Sequence, residues 1–206
     1  MNAEHHAALA RTPLKLEPVT LTGRHLRLEP LALEHADALA EAGDDPAIWA
    51  WYTHSGQGLE RTRRWVQEAV EGQAAGRFLP FVQRDLASGR IVGSTRYMAI
   101  DGPNRRVEIG WTWLAPAFQR TAANTESKYL LLRHAFEALG LIRVEFKTDA
   151  LNQASRRALA SIGATQEGLF RNHMIAETGR LRHSVYFSVT DSDWPAVKAG
   201  LERKLA

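Results

Sequence analysis

The chain has 206 residues, no cysteine, and 26 Lys+Arg against 23 Asp+Glu, a net charge of +3. The missing thiol excludes a disulfide framework, a thiolate metal site and a cysteine nucleophile. A composition of 45% hydrophobic and 24% charged residues excludes a wholly disordered chain. The basic residues are interspersed with acids rather than gathered into the stripe of a nucleic-acid binder.

No run approaches the ~18–20 apolar residues of a membrane span. Met1 to Thr12 holds no apolar core of a secretory signal, so the expectation is a cytoplasmic protein with no membrane and no nucleic-acid partner. The length suits one large domain. Residues 1–15 read as a loose arm and 16–206 as that domain.

Val19 to Leu31 reads as a strand pair, with Leu26 and Leu28 alternating with Arg27 and Glu29. Leu33 to Gly43 is a short helix stopped by Asp44–Asp45–Pro46. Ile48 to Gly58 is irregular and aromatic, with Trp49, Trp51, Tyr52 and His54. Leu59 to Ala75 is helical. Phe78 to Gln83 and Ile91 to Ile100 are strands joined by a hairpin turn at Asp85–Gly89, and Asp101–Asn104 turns into the strand Arg106 to Leu114.

Pro116 ends that strand. A polar loop over Gln119 to Thr125 leads to a helix from Glu126 to Leu139, closed by Gly140. Ile142 to Thr148 is a strand. Asn152 caps the next helix, Gln153 to Ile162, and Gly163 ends it. Thr165 to Ile175 and Leu181 to Val189 form a hairpin, and Asp191 or Ser192 caps a last helix. Hairpins give antiparallel pairs and the one strand–helix–strand crossover gives a parallel pair. The fold class is a mixed α+β one: a mostly antiparallel sheet with helices on both faces.

Alternation puts Arg106, Glu108, Gly110 and Thr112 on one face of their strand, and Val107, Ile109, Trp111 and Trp113 on the other. Glu108, with open space beside it at Gly110, can take a proton from a nucleophile. The alternative is an ion pair with Arg106, Arg105 or Arg96. The segment Gln119 to Glu126 opens a helix with small residues, where free amides and the helix dipole suit a pyrophosphate, with Arg120 and Thr121 as added donors. The alternative is an ordinary capped helix start. The histidines form no spaced metal-ligand set, so no metal is expected.

Glu108–Ile109–Gly110–Trp111 on a strand, followed by Gln119–x–x–Ala122–x–Asn124–Thr125–Glu126, resembles the GNAT acetyltransferase superfamily. Lys147–Thr148–Asp149, Asn152–x–x–Ser155, Ile162–Gly163–Ala164, Glu167–Gly168 and Arg171–Asn172–His173–Met174 extend the likeness, in the manner of the RimJ/RimL-like branch, over about Leu21 to Thr190. The resemblance implies a sheet splayed at its parallel centre with acetyl-CoA in the split. The pantetheine would pair with the edge at Trp113 and Leu114, and the pyrophosphate would lie on Gln119, Arg120, Thr121, Ala122, Ala123, Asn124 and Thr125. Asn152 would touch the pantetheine arm, and Ser155 would protonate the leaving thiolate. The chain departs from the family at Ala122 and Asn124, where glycines are common, and at Leu159, where a tyrosine acid often stands.

The implied activity is an N-acetyltransferase that moves an acetyl group to a primary amine by direct attack, with Glu108 as base. Neutralising a free α-amine at pH 7 costs about 1 kcal/mol, against about 4.6 kcal/mol for a lysine. This favours a peptide N-terminus, an amino acid or a weakly basic amine. Trp49, Tyr52, Arg171 and His173 are candidate acceptor contacts, with loop and strand packing as the alternative, and Arg171 and His173 are expected on one strand face. A homodimer is left open. Two other readings keep weight: a catalytically degenerate acyl-CoA-binding protein, and an RNA- or ribosome-binding module using Arg61, Arg63, Arg64, Arg105, Arg106, Arg156 and Arg157.

Overall fold

The computed structural model describes residues 13–206. Most of the expected arm over 1–15 therefore lies outside the described residues, while Leu14 and Leu16 pack against the main core. Eight strands form one sheet: β1 (Leu21–Thr22), β2 (Leu26–Pro30), β3 (Leu79–Asp85), β4 (Ile91–Asp101), β5 (Arg106–Leu114), β6 (Arg143–Asp149), β7 (Thr165–Ile175) and β8 (Leu181–Thr190). Their order is β1-β2-β3-β4-β5-β6-β8-β7. Among the described strands only β5 and β6 pair in parallel, over Arg106–Glu108 and Arg143–Glu145, because the helical crossover between them returns the chain in the same direction. Beyond Glu108 the two strands share no register pairs, so the sheet splays there.

Five α-helices cover the sheet: α1 (Ala36–Ala42), α2 (Leu59–Ala74), α3 (Ala122–Arg133), α4 (Gln153–Ser161) and α5 (Trp194–Leu205). α3, α4 and α5 bury Leu130, Leu131, Leu159, Trp194 and Leu201 against Phe81, Tyr97, Ile109, Val144, Phe146 and Phe187. On the other face α1 and α2 bring Leu39, Trp65, Val66 and Ala69 against Val82, Trp49 and Trp113. Among the described residues no helix is long and apolar enough to cross a membrane.

The boundaries that differ most from the sequence reading are those of α3 and α5. α3 starts at Ala122, four residues before the expected Glu126, because the Thr121 side chain caps it by accepting from the Ala123 amide at 3.2 Å. Its far end runs on from His134 to Ala138 as a single π turn. Asp193, rather than Asp191 or Ser192, is the N-cap residue of α5; its carboxylate instead accepts from the Thr190 amide at 2.9 Å. Asn152 caps α4 as expected, accepting from the Ser155 amide at 3.0 Å.

Glu126 is a fixed point of the fold. It is buried on α3, and its carboxylate accepts the backbone amides of Arg24, His25 and Leu26 at 2.6, 2.8 and 2.6 Å. These bonds fasten the β1–β2 turn to the first half of α3. A side chain at Gly23 would place its Cβ 2.3 Å from the Glu126 Cδ, so this approach requires glycine. Bonds to a charged acceptor contribute more than neutral ones, and their loss leaves three amide donors without a partner, that of buried Leu26 among them. Glu126→Ala should lower unfolding free energy by about 3 kcal/mol, read as a fall in urea midpoint at unchanged slope; a fall under about 0.5 kcal/mol would contradict this role.

Candidate active site

β5 carries the centre of the site, and it is not a regular strand. Trp111 has φ +49°, and the register with β4 slips between Ser94↔Trp113 and Arg96↔Gly110. Two residues, Trp111 and Thr112, thus oppose Thr95 alone, which is a β-bulge. The bulge overturns the expected alternation. Thr112 turns to the α3 side, where its hydroxyl meets Lys128 Nζ at 2.9 Å and Thr95 Oγ1 at 2.8 Å. Trp111 and Trp113 lie instead on the face of α1 and α2.

Glu108 shares that face. It is 5% exposed, and its ion partner is Lys147 on β6, with Nζ 3.4 Å from Oε2, rather than Arg96, Arg105 or Arg106. Arg106 bridges Asp101 and Glu145. The room at Gly110 is not open space: a Cβ there would lie 2.7 Å from Met98 Sδ and 3.1 Å from Glu108 Oε1. A side chain at this position would crowd the Glu108 carboxylate and displace Met98. Burial pushes the Glu108 pKa up, and Lys147 opposes that shift.

Arg182 and Tyr186 act electrostatically on Glu108, His173 packs on Tyr186, and Tyr52 feels the Arg182 charge. Lys147 Nζ lies 5.9 Å from the Tyr186 ring centre, and His173 meets Tyr186 edge-on at 5.8 Å. Burial lowers the His173 pKa, and Lys147 and Arg182 push it the same way, so its ring favours the neutral form. Tyr52 donates to the Thr112 carbonyl at 2.7 Å and packs on Trp49 and Trp111. Burial raises its hydroxyl pKa. Arg96 lies under Trp65, Phe78 and Trp111, 4.7–5.3 Å from their ring centres.

The other half of the site is the unpaired edge of β5 and the start of α3. Gln119 donates to the Leu114 carbonyl at 3.0 Å, and the Thr121 hydroxyl donates to Phe118 O at 2.8 Å. The left-handed residue here is Arg120, at φ +60°. Ala122, Ala123, Asn124 and Thr125 form the first turn of α3, so the family's glycine positions need no positive φ in this chain. One turn later Lys128 is buried against the Phe146 ring with no carboxylate partner among the described residues, and burial lowers its pKa to about 7.

The structure gathers Glu108, Tyr52 and His173 on one face, and Trp113, Leu114 and Gln119 to Thr125 along one edge. Asn152 and Ser155 stand half-buried at the start of α4. Trp49 is core: it is 6% exposed, and its Nε1 donates to Gly43 O at 2.8 Å. Arg171 and His173 do not share a face. Three residues, Arg171 to His173, oppose His183 alone, with Asn172 at φ +49°. Arg171, Asn172 and His183 line a surface depression of about 550 Å³. Of the basic residues considered for RNA, Arg61 bridges Glu177 and Arg63 bridges Asp37 and Glu60. No group of three or more His, Asp or Glu is placed to hold a metal among the described residues. Sequence reasoning missed Lys128 and Arg182. A lysine among the apolar positions of a helix was the available signal for the first, whereas the second depends on tertiary neighbours.

Comparison with known proteins agrees with this geometry. The family model described as an acetyltransferase (GNAT) domain matches residues 25–165. The chain is 28% identical to an N-acetyltransferase, p20, of Bacillus licheniformis over 180 residues, 85% of this chain and 98% of the relative. The solved GCN5-related N-acetyltransferase of Brucella melitensis superposes with a TM-score of 0.88 at 35% identity, covering 95% of this chain and 89% of that one. Mycobacterium smegmatis RimJ, solved with CoA-disulfide, shares the fold with a TM-score of 0.79 at 23% identity, over 91% and 95% of the two chains. The chain belongs to the GNAT acetyltransferase family and is an acyltransferase.

Lys128 gives the site a measurable titration. Its folded pKa near 7 lies below the ordinary lysine value of 10.5, so between these pH values the unfolded chain binds a proton that the folded chain does not. Stability contributed at this position rises from pH 7 to 10.5 and is lowest below 7. Each unit of displacement corresponds to about 1.4 kcal/mol. The unfolding free energy of the native chain minus that of Lys128→Met should therefore rise by more than about 1 kcal/mol between pH 7 and 9.5; a flat difference would contradict the buried titration.

Proposed function

We propose that the protein is an acetyl-CoA-dependent N-acetyltransferase of the RimJ/RimL-like kind, with residues 16–206 as its transferase domain and a primary amine as acceptor. The observation that carries this reading is Glu108: a buried carboxylate whose partner among the described residues is Lys147, beside the point where β5 and β6 part. The donor's site is tested by the same edge. β5 beyond Glu108 offers backbone groups without a β6 partner, and α3 presents first-turn amides behind small side chains at Ala122 and Ala123. These residues fit a pantetheine arm followed by a pyrophosphate.

Bound there, the thioester supplies the acetyl group. Trp113 and Leu114 contribute backbone along the arm, Gln119 to Thr125 hold the pyrophosphate, and Asn152 reaches the arm from the cap of α4. Glu108, directly or through water, takes the proton from the acceptor amine as its nitrogen bonds to the acetyl carbon. The carbon–sulfur bond breaks, and the thiolate takes a proton from Ser155 or from water. Leu159, 6% exposed and part of the main core, offers no acid at the position where relatives place tyrosine. With no cysteine in the chain, direct transfer in a ternary complex is favoured over an acetyl-enzyme. Leu159 also favours the second reading, a degenerate acyl-CoA-binding protein, which would bind acetyl-CoA without turning over any amine.

The test combines binding and turnover. Acetyl-CoA at 100-fold over its dissociation constant adds about 2.7 kcal/mol, which should raise the melting temperature by roughly 5–10 °C. Glu108→Gln should keep that rise while lowering kcat about 100-fold. It should also remove an acidic limb of kcat/KM that lies above the usual carboxylate range, the direction in which burial moves Glu108. Unchanged turnover in Glu108→Gln would sink the base assignment; a rise without turnover on a broad amine panel would favour the degenerate reading.

A further inference from the structure

Arg182 lies on β8, on the face that carries Glu108 and Tyr186. It is 8% exposed, and its guanidinium makes no hydrogen bond among the described residues. Its Nε is sealed from solvent without a partner. The nearest carboxylate oxygen, Asp149 Oδ2, is 3.9 Å away, but Asp149 is already held by Arg180 at 2.6 Å and by the Leu151 amide at 2.9 Å. The neighbouring cations are committed: Lys147 to Glu108, Arg106 and Arg143 to Glu145, Arg180 to Asp149. Arg96 is roofed by three aromatic rings that face its charge.

A buried guanidinium with unspent donors is a costly arrangement unless something completes it. Its charge acts on both Glu108 and Tyr52, so it stands on the side of the site that holds the proposed base and Tyr52, which packs on Trp111. The planar fork of arginine matches a carboxylate through two parallel hydrogen bonds. A neutral amide or carbonyl would fill donors without balancing the charge.

We infer that the acceptor amine also bears a carboxylate, which Arg182 binds while the amine faces Glu108: the acceptor is an amino acid. Cation then meets Glu108, and anion meets Arg182. This inference rests on the reading of Glu108 as base. It narrows the acceptor to a small zwitterion and sets aside the N-terminus of a protein, whose α-carboxyl is already an amide.

The experiment compares matched pairs of amino acids and their carboxamides as acceptors, in turnover with acetyl-CoA and in melts of the CoA complex. The acids should be preferred. Arg182→Gln should shrink the ratio of kcat/KM for acid over amide at least ~10-fold, the scale of a lost charged hydrogen bond. Arg182→Met, apolar and of similar length, is the second variant in case the glutamine destabilises the fold, and Arg182→Lys should restore part of the preference. Equal use of acid and amide by the native chain, an unaltered ratio in both variants, or a panel in which no amino acid is acetylated or raises the melting temperature would each overturn the inference. Failure of the Glu108 reading is distinct: acid preference would depend on Arg182 while Glu108→Gln left turnover intact.

Discussion

β5 and β6 run side by side for three residues, Arg106–Glu108 against Arg143–Glu145, and then each keeps its other neighbour instead. β6 stays in register with β8 along its whole length, from Arg143↔Thr190 to Asp149↔Ser184. β5 stays with β4 but absorbs an extra residue at Trp111, where the bulge bends and twists it away. The split that follows leaves β5 without a β6 partner from Ile109 to Leu114, beside a buried acid. α3 then starts immediately after that edge, so the amides of its first turn fall next to the split.

Keeping such an opening requires anchors nearby, and they are polar. Glu126 ties α3 to the β1–β2 turn through three backbone amides, which fixes the helix start that borders the split. Lys128, one turn further along, holds Thr112 at the bulge. Glu108, at the last register position of the parallel strands, pairs with Lys147 two residues beyond its register partner Glu145. Buried charges of this kind are costly to maintain and contribute little net stability. Their concentration around the split is expected where pKa values and donor positions serve chemistry rather than folding.

The order of elements was legible in the sequence because strands, hairpin turns and helix ends are marked by local signals. Asn152 is one example: a cap is made within three residues, and the structure has it as read. The failures are tertiary. Nothing local announces a bulge that puts a tryptophan at positive φ, so strict alternation misplaced Thr112, Trp111 and Trp113. Ala122–Ala123–Asn124–Thr125 reads as a polar loop until Glu126, taken as the helix start, is seen holding Arg24 to Leu26 about a hundred residues away. Arg171 and His173 were parted by a second bulge, at Asn172. The partners of Glu108 depend on the parallel register, so Lys147 was visible as a motif residue but not as an ion partner. Family likeness pointed to the edge and the helix start as the proposed donor site; it could not show which cations near Glu108 are left uncommitted.

The proposed chemistry depends on the donor binding in the split. Amide hydrogen exchange of the full chain with and without acetyl-CoA tests that most directly. The expected result is slowed exchange confined chiefly to the β5 edge, residues 109–114, and to the start of α3, residues 121–125. Slowing elsewhere with these two segments unchanged, or no change at saturating acetyl-CoA, would contradict it.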